Sequence, residues 1–319
     1  MKRKILGLDI RHDAVSAVLI KSGIKGAAIE AHVHVPLSDR KEDETDWVAP
    51  LETIVKKMDI SDSVCVASFP ADEISYRNIQ VPFKGHKKIK KILPYELEPT
   101  FPFSTDDLII DFVTVKLPDD LDGNNLIAAA VEKSKLQFFL DTLATFNIVP
   151  ETVTIGGYPT ALCLTNLLDH RKNWLVVDID SYKSTVFFIV SGQICLIRSF
   201  PMRSNARSYK IKSLCSSIRQ THAALEKMIG LEFDPDGLYI TGCGLDDLGF
   251  EQDMAQALGV SIERIDLLRD ADPLKHQDPP ESWVPFLMDN ALSLALMEVE
   301  GTHEFNFRKG HFASKKFWE

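Results

Sequence analysis

Two short stretches put carboxylates where the chain must turn sharply between strands: Asp9-Ile10-Arg11 and Asp178-Ile179-Asp180. Each follows an apolar run. A carboxylate at such a turn can cap local backbone N–H groups or hold a divalent cation through water. The two stretches are copies of one another. LGLDIRHDAVSAVLIKSG (6–23) aligns without gaps on LVVDIDSYKSTVFFIVSG (175–192), at an offset of 169 residues. Leu6, Asp9, Ile10, Ser22 and Gly23 are matched by Leu175, Asp178, Ile179, Ser191 and Gly192. Each copy reads as a strand ending in Asp, a tight turn, a second strand and a Ser-Gly turn, so the repeat reports a duplicated three-stranded unit.

Other residues that could do chemistry are more easily read as structure. His32 and His34 lie two apart on one strand face and could reach one metal, but no third ligand stands at metal spacing nearby. Solvated histidines are the simpler reading. Gly242-Cys243-Gly244 follows a short strand, yet the next glycine is Gly249, which is not dinucleotide-fold spacing. There is no HExxH and no GxSxG turn. Lys84, Lys87, Lys88, Lys90 and Lys91 form the one dense basic run, read as the solvated face of a helix. Its functional reading is an anionic lipid or an acidic partner. No catalytic residue and no metal ligand set is assigned.

The elements that position these residues alternate between strand and helix, which is an α/β pattern. Strands are expected at 3–10, 14–21, 27–35, 62–69 and 72–81, with a helix over 47–58. A helix begins at Gly85, and Pro94 is expected to kink or end it. Strands at 107–116 and 125–131 flank an Asp122-Gly123 turn. Leu136, Phe139, Leu140 and Leu143 mark the next helix. The second half has strands near 173–179, 184–190 and 193–200. A long helix then carries Ile211, Leu214, Ile218, Leu225 and Met228. A strand at 237–241, a helix near 250–258, a strand near 261–265 and a helix from Pro285 to Val299 complete the chain.

Composition narrows the function classes. The 319 residues are 45% hydrophobic and 26% charged, with a net charge of −10, which removes a global basic field for nucleic acid. No apolar run reaches the ~18 residues of a membrane span, and Asp9 and Arg11 interrupt the only run near the start. Five scattered cysteines form no disulfide framework and suit a reducing compartment.

The duplicated unit resembles the actin-like ATPase (ribonuclease H-like) fold, with βββαβα lobes around a cleft. In that fold the two Asp-bearing turns are phosphate loops, and LYITGCG, with Gly242 and Gly244, resembles its adenosine motif. Within the superfamily the chain looks most like the PilM branch, which includes pilus assembly protein PilM and the cytoplasmic domain of type II secretion system protein L. The resemblance rests on 86–112, 131–162, 238–266 and 289–298, and covers roughly 4–312. It implies a first lobe at 1–172 with an inserted subdomain at about 68–131, a second lobe at 173–300, and a tail at 301–319. EFNFRKGHFASKKFWE (304–319) resembles the segment that follows this domain in protein L. In pilus systems a similar segment opens PilN and docks on PilM. Phe305, Phe307 and Phe312 are therefore expected to anchor in a groove on the first lobe. Lys315, Lys316, Phe317 and Trp318 suit a membrane interface, so a membrane segment is expected after residue 319.

The resemblance also says what to expect of ATP and Mg²⁺. Active members carry Asp-x-Gly in both turns, because glycine lets backbone N–H groups approach a phosphate. Here Arg11 and Asp180 replace both glycines, and Ser16 replaces a lysine frequent in the PilM branch. Asp9, Arg11, Asp178, Asp180, Gly242 and Gly244 then outline a degenerate nucleotide cleft, with Mg²⁺ or ATP retained at most weakly. The expected function is a non-catalytic scaffold on the cytoplasmic side of the inner membrane. It would link the secretion or assembly ATPase to platform proteins (PilN-, M- or F-like), with a homodimer expected by analogy. The alternatives are a nucleotide-switched PilM-like protein and, less favoured, a small-molecule kinase of the same fold.

Overall fold

The computed structural model describes residues 3–23, 26–37, 47–82, 84–116, 124–202, 207–230, 232–242, 248–274 and 278–314. The first half runs β1 (Arg3–Ile10), β2 (Ala14–Gly23), β3 (Gly26–Pro36), α1 (Val48–Lys57), β4 (Ser63–Phe69), β5 (Ser75–Val81) and α2 (His86–Leu97). It continues with β6 (Leu108–Val115), β7 (Asn124–Glu132), α3 (Lys133–Ala144), β8 (Thr152–Ile155) and α4 (Tyr158–Leu167). The second half runs β9 (Trp174–Ile179), β10 (Lys183–Val190), β11 (Gln193–Pro201), α5 (Arg207–Ile229), β12 (Gly237–Thr241), α6 (Leu248–Leu258), β13 (Ile262–Arg264), α7 (Leu267–Asp270) and α8 (Pro285–Glu300).

Two five-stranded sheets share one plan. Their orders are β3-β2-β1-β4-β8 and β11-β10-β9-β12-β13. In each, three antiparallel strands are joined by two strands parallel to the first. The 169-residue offset survives in the register: Asp9 faces Ser16 across β1–β2, and Asp178 faces Thr185 across β9–β10. β1, β2, β9 and β10 are apolar along most of their length because both faces of their sheets are covered.

A third sheet, β5-β7-β6, lies between β4 and β8 in sequence. Its own small core joins Ile89, Leu93 and Leu97 of α2 to Val81, Phe101, Leu108, Phe112 and Leu126. This packing overrides the expected break at Pro94, and α2 continues to Leu97. The missing N–H costs one bond near the end of a short helix, while Leu97 keeps the i, i+4, i+8 stripe seated. On α5 the apolar stripe passes through Ile229 rather than Met228, which faces out. The expected strand at 72–81 opens with a 3₁₀ turn, Ala71–Glu73, and becomes a strand at Ser75. Among the described residues no helix is long and apolar enough to cross a membrane.

Helix α8 ties the halves together. It packs on β1, β2 and β4 of the first sheet and on β12 of the second, and every residue from Met288 to Met297 is buried. The approach to β1 is so close that a Cβ on Gly7 would overlap the Ala291 carbonyl. Gly7→Ala is therefore expected to push α8 off the sheet. Urea denaturation should report a loss of about 3 kcal/mol or more, at the upper end of overpacking effects.

Candidate functional site

The turns that follow β1 and β9 face each other, and the side chain between them is Arg11. Its Nη2 donates to Asp178 Oδ1 at 2.5 Å, and its Nε lies 3.9 Å from Asp9 Oδ2. Asn290 of α8 adds a bond from Nδ2 to Asp178 Oδ1 at 3.1 Å. Ser68, at the end of β4, donates to Asp9 Oδ1 at 2.7 Å and accepts from the Ile10 N–H at 3.0 Å. Asp9, Arg11, Asp13, Asp178 and Asp180 are all buried.

Arg11 of the first turn and Asp180 to Lys183 of the second have their amides bonded within the protein. Asp180 Oδ1 accepts from the Tyr182 and Lys183 N–H groups at 2.7 and 2.9 Å. Asp13 Oδ2 reaches across and accepts from the Ser181 N–H at 2.8 Å. The Arg11 N–H bonds to the Ala14 carbonyl at 3.0 Å. The space left between the turns is about 30 Å³, a volume for water rather than for a triphosphate, since ligand pockets are roughly ten times larger. The phosphate side of the cleft therefore does not fit Mg²⁺ and ATP. Arg11 fills the space between the two turns.

Gly242 also has a structural reason to be glycine. Its φ is 105°, and a Cβ there would overlap the Ile179 carbonyl. That lets the end of β12 pass directly behind the Asp178 turn. Gly244 lies outside the described residues. Ser16 bonds His34 Nδ1 at 2.9 Å, whereas His32 packs edge-on to Trp283, so the two histidines serve different neighbours.

Four buried carboxylates around one guanidinium cannot all be ionised at little cost. Burial pushes Asp178 up to about 7, against the field of Arg11. Burial, with Asp13 alongside, pushes Asp180 up to about 6. Asp9 is raised by the same desolvation.

The three tail phenylalanines are buried, Phe305 and Phe307 completely. Phe305 packs edge-to-face on Tyr158, with ring centroids 4.9 Å apart, and Tyr158 Oη bonds Glu304. The Phe307 N–H donates to the Val153 carbonyl at 2.8 Å, and the Val153 N–H donates to Asn306 Oδ1 at 3.2 Å. Asp111, buried in β6, accepts from the Asn306 N–H at 2.8 Å and pairs with Lys309. The segment thus lies along the edge of β8, between α4 and β6.

Sequence reasoning missed Ser68, Asn290, Asp13 and Asp111 as partners. Asp13 was the most legible, standing four residues from Asp9 in the same turn. The others come from distant elements and carry no local signal.

The sequence model of the type IV pilus assembly protein PilM family matches residues 7–201, more than half of the chain. A type II secretion system protein L from Dickeya chrysanthemi is 25% identical over 108 residues, 33% of this chain and 26% of that protein. The match spans about a quarter of that relative's length. Among solved structures, the PilM–PilN type IV pilus biogenesis complex superposes with a TM-score of 0.73 at 18% identity, covering 92% of this chain and 98% of that one. The cytoplasmic domain of EpsL, an inner membrane component of the type II secretion system of Vibrio cholerae, gives 0.53 at 12% identity, covering 97% and 99%. At such identities the likeness is one of fold, and that fold is the duplicated actin-like architecture described above.

Two outcomes are expected. The folded chain holds protons on Asp178 that the unfolded chain, with an ordinary carboxylate near 4, has released. Stability should then fall as pH rises from about 4 to about 7, by at most about 1.4 kcal/mol per pH unit for this group. In Asp178→Asn that slope should flatten, read as the difference in unfolding free energy between pH 5 and pH 7. Phe307→Ala should lose about 3–5 kcal/mol in denaturant unfolding, as for a fully buried phenylalanine.

Proposed function

Because the chain belongs to the type IV pilus assembly protein PilM family, we propose that it is a non-catalytic scaffold of an inner-membrane assembly platform of the type IV pilus or type II secretion kind. It sits on the cytoplasmic face of the membrane. It binds the secretion or assembly ATPase and joins it to platform proteins, among them one of the PilN kind. The observation that carries the non-catalytic reading is the Arg11 guanidinium, bonded to Asp178 at 2.5 Å and buried between the two turns. A side chain so placed supplies the cleft with its own fixed cation. The two halves are then held by internal bonds and not by a ligand that hydrolysis would remove. A rigid two-lobed body suits a protein whose work is to keep partners at set positions.

The test is to mix the purified chain with the purified assembly ATPase of the same system, with and without Mg·ATP, and to titrate Mg·ATP into the chain alone by calorimetry. Nucleotide-independent capture of the ATPase and no binding heat are expected. Micromolar nucleotide binding that changes ATPase capture would replace this reading with a nucleotide-switched one.

A further inference from the structure

At the mouth of the cleft, where His12 and Asp72 border the same small cavity as Arg11 and Asp178, three potential metal ligands converge. His12 comes from the turn after β1; Asp72 and Glu73 come from the 3₁₀ turn after β4. One ligand atom from each lies within 4.8 Å of the other two. His12 Nε2 and Asp72 Oδ1 are 2.9 Å apart. Tetrahedral Zn²⁺ ligands, each about 2.1 Å from the metal, stand roughly 3.4 Å apart. The His12–Asp72 hydrogen bond would open by about half an ångström to admit the ion.

The surrounding charges leave room for a cation. Asp72 uses its other oxygen, Oδ2, to accept from Lys183 Nζ at 2.6 Å. That lysine need not leave, and it fixes the carboxylate as an outer-shell partner would. Glu73 Oε2 pairs with Lys135 at 2.6 Å, with both side chains about a third or more exposed. Such surface pairs open readily.

An entry path exists beside the trio. A cavity of about 360 Å³ is walled by Trp47, Phe69, Pro70 and Phe138, and both His12 and Glu73 line it. A bound metal would have three protein ligands and an open side toward this cavity, where water or a ligand donor could complete the shell. One imidazole and two carboxylates suit a borderline divalent ion rather than Ca²⁺ or Mg²⁺.

We propose that His12, Asp72 and Glu73 form a site for a divalent transition metal, Zn²⁺ foremost, with open coordination positions facing the apolar cavity between α1 and α3. The site adjoins the Arg11 cleft, and the proposal does not rest on the scaffold reading.

The test is calorimetric titration of the full chain with ZnCl₂ and, separately, MnCl₂ at pH 7.5, alongside His12→Gln and Glu73→Gln. One-to-one Zn²⁺ binding is expected, at least tenfold weaker in either variant. Zn²⁺ should raise the melting temperature of the unaltered chain and not that of Glu73→Gln, whose half-exposed position leaves the fold intact by near-UV circular dichroism. Absence of one-to-one binding overturns the proposal. So does Zn²⁺ binding that both variants leave within twofold, since thiols or surface histidines would then hold the ion.

Discussion

A guanidinium taken out of water must have its charge balanced and its N–H groups bonded, or the fold bears several kcal/mol of desolvation. Arg11 meets that demand by drawing the two halves of the molecule together. Asp9 comes from its own turn, Asp178 from the turn 167 residues further on, and Asn290 from the helix that spans both sheets. The carboxylates have the converse problem, because each is buried and only one guanidinium stands between them. The guanidinium and the raised carboxylates answer the two problems jointly: Arg11 meets one carboxylate, and burial makes the others easier to protonate.

Helix α8 makes this arrangement rigid. It is buried on all sides and largely apolar, and it brings Asn290 to the turn only because Gly7 allows it to lie against β1. Thr160 of α4 reaches α8 through Asn290 Oδ1 at 2.5 Å and the Ser293 hydroxyl at 2.9 Å. Asn290 and Ser293 of α8 are therefore bonded inside the core, and the helix's position is fixed by direction as well as by volume.

Much of this was legible in the sequence. The duplicated unit could be read from 18 residues because strands covered on both faces keep a continuous apolar run, and the turn residues keep their spacing. The tail phenylalanines could be singled out because they recur in a polar stretch. Arg11 could be read as a cation at a turn, but its destination could not, since Asp178 and Asn290 reach it by tertiary packing alone. The same limit hid His12 beside Asp72, 60 residues away. At Pro94 the helix does not end: of the expected kink or end, the end is outweighed by three apolar side chains seated in a small core.

The tail follows from the same logic of unsatisfied groups. β8 is the last strand of its sheet, and an open strand edge invites pairing with another chain. Residues 306 and 307 bond the N–H and C=O of Val153, and Phe305 and Phe307 fill the space beneath. Because the segment is part of the same chain, its effective concentration at this edge is on the order of millimolar or higher. A segment of similar pattern from another protein would have to exceed that before it could replace Phe307. The edge of β8 is thus closed to weak pairing from outside, and the position of the tail relative to the first sheet is set by the fold itself.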